Sequence, residues 1–233
     1  MKRGFRRNIF EIVAESFEKL FSNYSLVLPF VFSFLASFIL GASLSLAGLS
    51  LEELNTRFLL LSSIAFLVLW LANSYFFSGA IGICIEIVKA RKAKLAVMHS
   101  TGKKFFFRYW LFTLILGLII VIWFALTFLL YFSTRNLASL LVLLPFPFFF
   151  VFFVFAPYLL LLNDVNVLRA IKQSFALVKS NYWTSFFLLL LFFIMHLVSL
   201  VPFIGTFIAL LLITPAMTLA FTIFTFERRL HFH

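Results

Sequence analysis

The Lys and Arg residues of this 233-residue chain fall, all but two, in alternate gaps between long apolar runs. Five precede the first run (Lys2, Arg3, Arg6, Arg7, Lys19), seven lie between the second and third, three between the fourth and fifth, and two after the sixth. The other gaps hold Arg57 and Arg135 alone. Loops kept on the cytoplasmic face of a membrane carry the excess of basic residues. A split of 17 against 2 therefore predicts a multi-pass protein of the cell membrane with six spans and both termini cytoplasmic.

Composition points the same way. The chain is 64% hydrophobic and 12% charged, against about 25% charged in soluble domains. A water-soluble fold of this length has no core large enough to hide that much apolar surface. The net charge of +11 raises the question of nucleic acid, but the basic residues flank spans and do not alternate with exposed aromatics along a groove. No nucleic acid is expected, and anionic lipid headgroups at the inner face supply the counter-charge. Cys84, the one cysteine, lies inside an apolar run, where it is expected to pack as a small apolar residue.

The spans follow from the runs. The first is Ser25–Leu49, longer than a signal-peptide core and preceded by a 24-residue charged segment. The second, Phe58–Val88, exceeds what a hydrocarbon layer of about 30 Å needs, so it tilts or projects. The third is Tyr109–Phe132 and the fourth Ala138–Leu162, the latter containing Pro145, Pro147 and Pro157. Three prolines oppose one unbroken helix, so the regular helix is expected to start near Pro145, with 133–144 on the outer surface. A broken span lining a cavity is the rival reading. Spans five and six are Trp183–Val201 and Ile204–Phe226, joined by the short Pro202–Gly205 link.

A repeat precedes alternate spans. Ser16, Phe17, Ser22, Asn23 and Tyr24 match Ser174, Phe175, Ser180, Asn181 and Tyr182 at one fixed offset. A weaker copy places Leu95, Thr101, Tyr109 and Trp110 in register with Leu168, Ser174, Tyr182 and Trp183. The fold expected is all-α, six transmembrane helices built as three units of an amphipathic interfacial helix plus a helical hairpin, at about 1–89, 90–162 and 163–233. Phe5, Ile9, Val13, Phe17 and Leu20 keep helical spacing, as do Leu168, Ile171, Phe175 and Val178. Surface helices are thus expected at about 5–21, 92–107 and 166–179. Each would turn into the bilayer at Tyr24, at Tyr109 and Trp110, or at Tyr182 and Trp183, where such rings favour the interface. All three copies face one way, so a ring of hairpins about the membrane normal is the natural arrangement.

The stretch from Ala156 to Trp183 resembles a group of six-span prokaryotic membrane proteins of unassigned function, related to the membrane domain attached to some glycerophosphodiester phosphodiesterases. Pro157, Ala170, Ser174, Asn181 and Trp183 carry the resemblance, with Val201–Gly205 and Pro215 in the last hairpin. It implies architecture and not the phosphodiesterase activity, whose soluble domain has no counterpart here.

Candidate chemistry is sparse. No Asp, Lys or Arg lies deep in a span; Glu86 is near an inner end, where Lys89 would pair with it. Asp164 would cap the following helix. Asn73, Ser74 and Ser78 of span two lie at the depth of His196 in span five. As a cluster they could take a headgroup or proton; as structure they would be interhelical hydrogen bonds of about 0.6–2 kcal/mol each. Small residues four apart (Ser33, Ser37, Gly41, Ser45; Ser74, Ser78, Gly82) would form the seam between spans one and two. His99, His231 and His233 show no metal-site spacing, and no cofactor or catalytic motif is present. The expectation is a non-catalytic membrane protein organising or assisting lipids or a partner membrane protein. The alternative is a permease for a small or lipid-like substrate.

Overall fold

The structure, a computed structural model, describes residues 7–46, 56–90, 92, 94–135 and 145–229. Phe5, residues 136–144, His231 and His233 lie outside the described residues. Every regular element among the described residues is helical, and six helices are long and apolar enough to cross a membrane: Tyr24–Ser43, Leu60–Ala90, Leu95–Ser133, Pro145–Leu162, Tyr182–Leu200 and Ile204–Arg228. The α-helices are α1 (Ile9–Phe21), α2 (Leu28–Leu46), α3 (Thr56–Ala90), α4 (Leu95–Thr134), α5 (Pro145–Val154), α6 (Ala156–Leu162), α7 (Val167–Ser180), α8 (Tyr182–His196), α9 (Ile204–Ile208) and α10 (Thr214–Arg229).

Prolines set the irregular points. Pro145 and Pro147 stand in the first turn of α5 as it is described, Pro145–Val154, a place where proline is well tolerated. Pro157 removes the donor that Phe153 would receive, and the fourth span breaks at Phe155, between α5 and α6. Pro215 acts similarly on span six. Its ring crowds the Leu211 carbonyl, and the turn before it, Ala209–Ile213, widens to a π-helix. The Thr214 hydroxyl donates to the Ala209 carbonyl at 2.9 Å across this widened turn.

The amphipathic segments depart from expectation in two ways. Residues 92–107 are not a separate surface helix, because α4 runs unbroken from Leu95 to Thr134. At 1.5 Å per residue its 40 residues extend about 60 Å, twice the hydrocarbon thickness. The buried faces of α1 and α7 are also rotated from the large-residue stripes. Ile12, Ser16 and Leu20 are buried on α1. On α7 they are Val167, Ala170, Ser174, Leu177 and Val178, while Leu168 is exposed. Small side chains at Ser16, Ala170 and Ser174 let these helices sit closer to their supports than the large residues beside them would.

Parts of spans two, four and six form the centre. The inner half of α3, α6 and α10 touch one another, with Ile83, Cys84, Ile87, Leu160, Ala216, Leu219 and Phe224 fully buried. Phe155, at the α5–α6 break, meets Phe224 at 5.0 Å and Phe221 at 5.4 Å between ring centroids. Outside this triangle, α1 packs on α10, α7 on α5 and α6, and the start of α4 on α3. The α3–α4 approach is close. A Cβ at Gly79 would lie 2.6 Å from Met98 Cγ, and one at Gly82 2.5 Å from Thr101 Oγ1. Gly82 therefore seals against α4 and not α2, and Gly41 faces open space, which corrects the expected seam between spans one and two. Ser33 of the expected stripe does meet span two, donating to Asn73 at 2.5 Å, and Phe30 packs on Phe77 at 5.5 Å between ring centroids.

Candidate functional site

The intramembrane polar residues do not converge. Asn73 accepts from Ser33, while Ser74 and Ser78 donate to carbonyls of their own helix, Trp70 at 2.8 Å and Tyr75 at 3.0 Å. His196, the last residue of α8, places Nδ1 2.8 Å from the Phe192 carbonyl oxygen and Nε2 3.2 Å from Thr214 Oγ1. A carbonyl only accepts, so Nδ1 carries a proton. Thr214 Oγ1 thus lies between His196 Nε2 and the Ala209 carbonyl oxygen, to which its hydroxyl donates. No hydrogen bond joins His196 to α3, and the expected cluster of Asn73, Ser74, Ser78 and His196 is corrected to two separate arrangements. Equal depth does not put residues on facing sides of two helices.

The repeated Asn, Ser and aromatic positions have clearer local roles. Asn23 Nδ2 donates back to the Lys19 carbonyl at 2.9 Å, and Asn181 Nδ2 to the Leu177 carbonyl at 3.1 Å. An amide that satisfies a last-turn carbonyl lets the chain leave the helix there, and α1 and α7 both end at these points. Arg108 stands where an Asn would be in the middle copy, and α4 continues through it. Ser16 and Ser174 are fully buried; Ser16 donates to Val13 O, and Ser174 crosses to the Phe152 carbonyl at 2.6 Å. Tyr24 and Trp183 are exposed, as interface anchors would be. Tyr109, Trp110 and Tyr182 are half-buried against neighbouring rings, Phe112, Trp70 and Phe186 respectively.

The charged residues gather at the end of the bundle that carries the basic loops. There, α1 and the C-terminal ends of α3 and α10 enclose a groove of about 990 Å³. One end is internally compensated: Arg7 pairs with Glu15 and, at 3.1 Å, with Glu227, and Lys19 reaches Glu15 at 3.1 Å. Glu11 accepts from the Asn8 backbone N–H at 3.2 Å, helping to start α1. Glu18, Lys89 and Lys92 also line the groove, and among the described residues none of their charged groups has an ion-pair or hydrogen-bond partner. Val88, Ile223 and Phe226 form its apolar wall. Glu86 and Lys89 do not pair, which corrects that expectation; Lys89 turns to the groove.

A second charged cluster ties the α6–α7 link to α4. Asp164, with φ of 48°, receives Lys104 Nζ at 2.6 Å and Arg108 Nη1 at 2.7 Å. These hydrogen bonds hold its carboxyl below the usual carboxylate range. Asp164 is therefore not the helix cap. Asn166 is, accepting from the Arg169 backbone N–H at 2.9 Å.

The groove was foreshadowed in the sequence by one signal. Glu11, Glu15 and Glu18 share a helical stripe opposite the buried face of α1, but its opposing wall comes from α3 and α10, which lie far away in the chain. Among the described residues no group of three or more His, Cys, Asp or Glu side chains is placed to hold a metal ion. Comparison with family models, curated proteins and solved structures gives no match to this chain.

Proposed function

We propose that this chain is a non-catalytic multi-pass protein of the cell membrane, organising or assisting lipids or a partner membrane protein through its basic, cytoplasmic end. The carrying observation is where the polar groups lie. Side-chain charges collect in the groove at one end, while Ile83, Phe155, Leu160 and Phe224 fill the centre between the second spans. A membrane protein moving a polar solute needs ionisable or polar groups along a central path; here the central hydroxyls among the described residues, those of Thr218, Thr222 and Thr225, spend their hydrogens on carbonyls of α10 itself, and the side chains packed around them are mainly apolar. The three-unit ring belongs to the same reading. Each amphipathic segment rests on the second span of the unit before it: α4 on α3, α7 on α6, and, closing the circle, α1 on α10.

The test is lipid retention. Protein purified in mild detergent should carry phospholipid in near-stoichiometric amount by mass spectrometry of the extract. A lipid-free protein that catalyses solute uptake into proteoliposomes would overturn the reading. The permease alternative draws on one observation, the 3-10 turn Leu197–Leu200 and the π turn Ala209–Ile213 on either side of α9, beside the His196–Thr214 contact. Loss of that uptake in His196→Leu would establish it.

A further inference from the structure

We infer that the groove between α1, α3 and α10 seats the headgroup of a zwitterionic phospholipid with a primary ammonium, its phosphate on Lys89 and Lys92 and its ammonium on Glu18. This rests on the lipid reading above and narrows it. Among the described residues Arg7 and Lys19 are already engaged by Glu15 and Glu227 and Glu11 is held by the Asn8 backbone N–H, so the charged groups left without a partner in the lining are two cations, Lys89 and Lys92, and one anion, Glu18. A purely anionic headgroup would satisfy the lysines but lie among carboxylates, with Glu18 still uncompensated. A purely cationic ligand would meet the reverse mismatch. A group carrying both signs meets neither.

The ammonium type follows from the lining. A primary ammonium donates hydrogen bonds to a carboxylate, which strengthens the pair. A quaternary ammonium cannot donate, and the sites that hold one are aromatic cages; among the described residues Phe226 is the one aromatic ring in this lining. Val88, Ile223 and Phe226 give the glycerol and first methylenes an apolar wall leading from the groove. The volume of about 990 Å³ is at the upper end of small-ligand sites, roughly 300–1,000 Å³.

The experiment titrates the full-length, delipidated protein with phosphatidylethanolamine, phosphatidylglycerol and phosphatidylcholine in detergent, reading binding by native mass spectrometry. Phosphatidylethanolamine should bind tightest. Glu18→Gln should reduce its preference over phosphatidylglycerol about fivefold, the scale of one favourable exposed ion pair. Lys89→Ala with Lys92→Ala should weaken both of those lipids. Lys103→Ala with Lys172→Ala removes the same charge from exposed positions outside the groove and should change neither. Unchanged melting temperatures would show that these exposed substitutions leave the fold intact. Tighter binding of phosphatidylglycerol, or an unaltered preference in Glu18→Gln, overturns the assignment while leaving lipid binding standing. No retained phospholipid at all overturns both. Equal competition by chain-free phosphoethanolamine would assign the groove to a soluble ligand and overturn the lipid source.

Discussion

A methyl group at Gly205 would collide with the Val198 carbonyl oxygen and come within 2.9 Å of its carbon, and backbone cannot swing aside as a flexible side chain can. Gly205→Ala is expected to destabilise the protein by about 1–3 kcal/mol, whereas Gly41→Ala and Gly117→Ala, which face open space, should stabilise it by about 0.5–1 kcal/mol. Thermal unfolding in detergent separates the two cases, and equal melting temperatures would refute the close link between α8 and α9. Asp164 is the residue-scale pH probe. Lys104 and Arg108 lower its folded pKa, so its contribution is fully present above the unfolded value, about 4, and disappears as pH falls through the lower folded value. The stability difference between wild type and Asp164→Asn should stay flat from pH 7 to 5 and vanish below pH 4. It should be small and salt-sensitive because the group is exposed. Depth in the membrane was readable for His196 and Asn73, but rotation about each helix was not, and rotation decides which residues meet.

At the scale of elements, the apolar runs disclosed every span because each is nearly uninterrupted. The continuity of α4 was harder to see. Its amphipathic start stands in register with the third copy at Thr101, Tyr109 and Trp110, but the residue that ends the helices of the other two copies, Asn23 or Asn181, is replaced by Arg108. Arg108 sends its guanidinium to Asp164 and leaves the backbone ladder intact. Spin labels at Ala96 and Val121, 25 residues apart on one straight helix, should read about 37 Å between backbones. A bend at Tyr109 like those after Asn23 and Asn181 would shorten the distance by several ångströms and refute the single helix.

At the scale of the whole molecule, the alternation of basic and neutral gaps predicts which loops face which side, since it reports on insertion and not on packing. Reporter fusions at Arg57 and Arg135 should give external signals, and an internal signal at either would reverse the orientation. The pairing of spans is another matter. That α3, α6 and α10 make the centre, and that α1 lies on α10, depends on contacts between residues as much as 200 positions apart, on which no local pattern bears. The α1–α10 contact also dictates an order of events during synthesis. Synthesis runs from the N-terminus, so α1 is made well before α10, the helix it packs on. Until the ribosome has delivered residue 229, the packing face of α1 must wait at the membrane surface without its partner. A chain in which α10 has not yet been made therefore leaves the packing face of α1 uncovered, a mark of incomplete assembly that a quality-control protease can read.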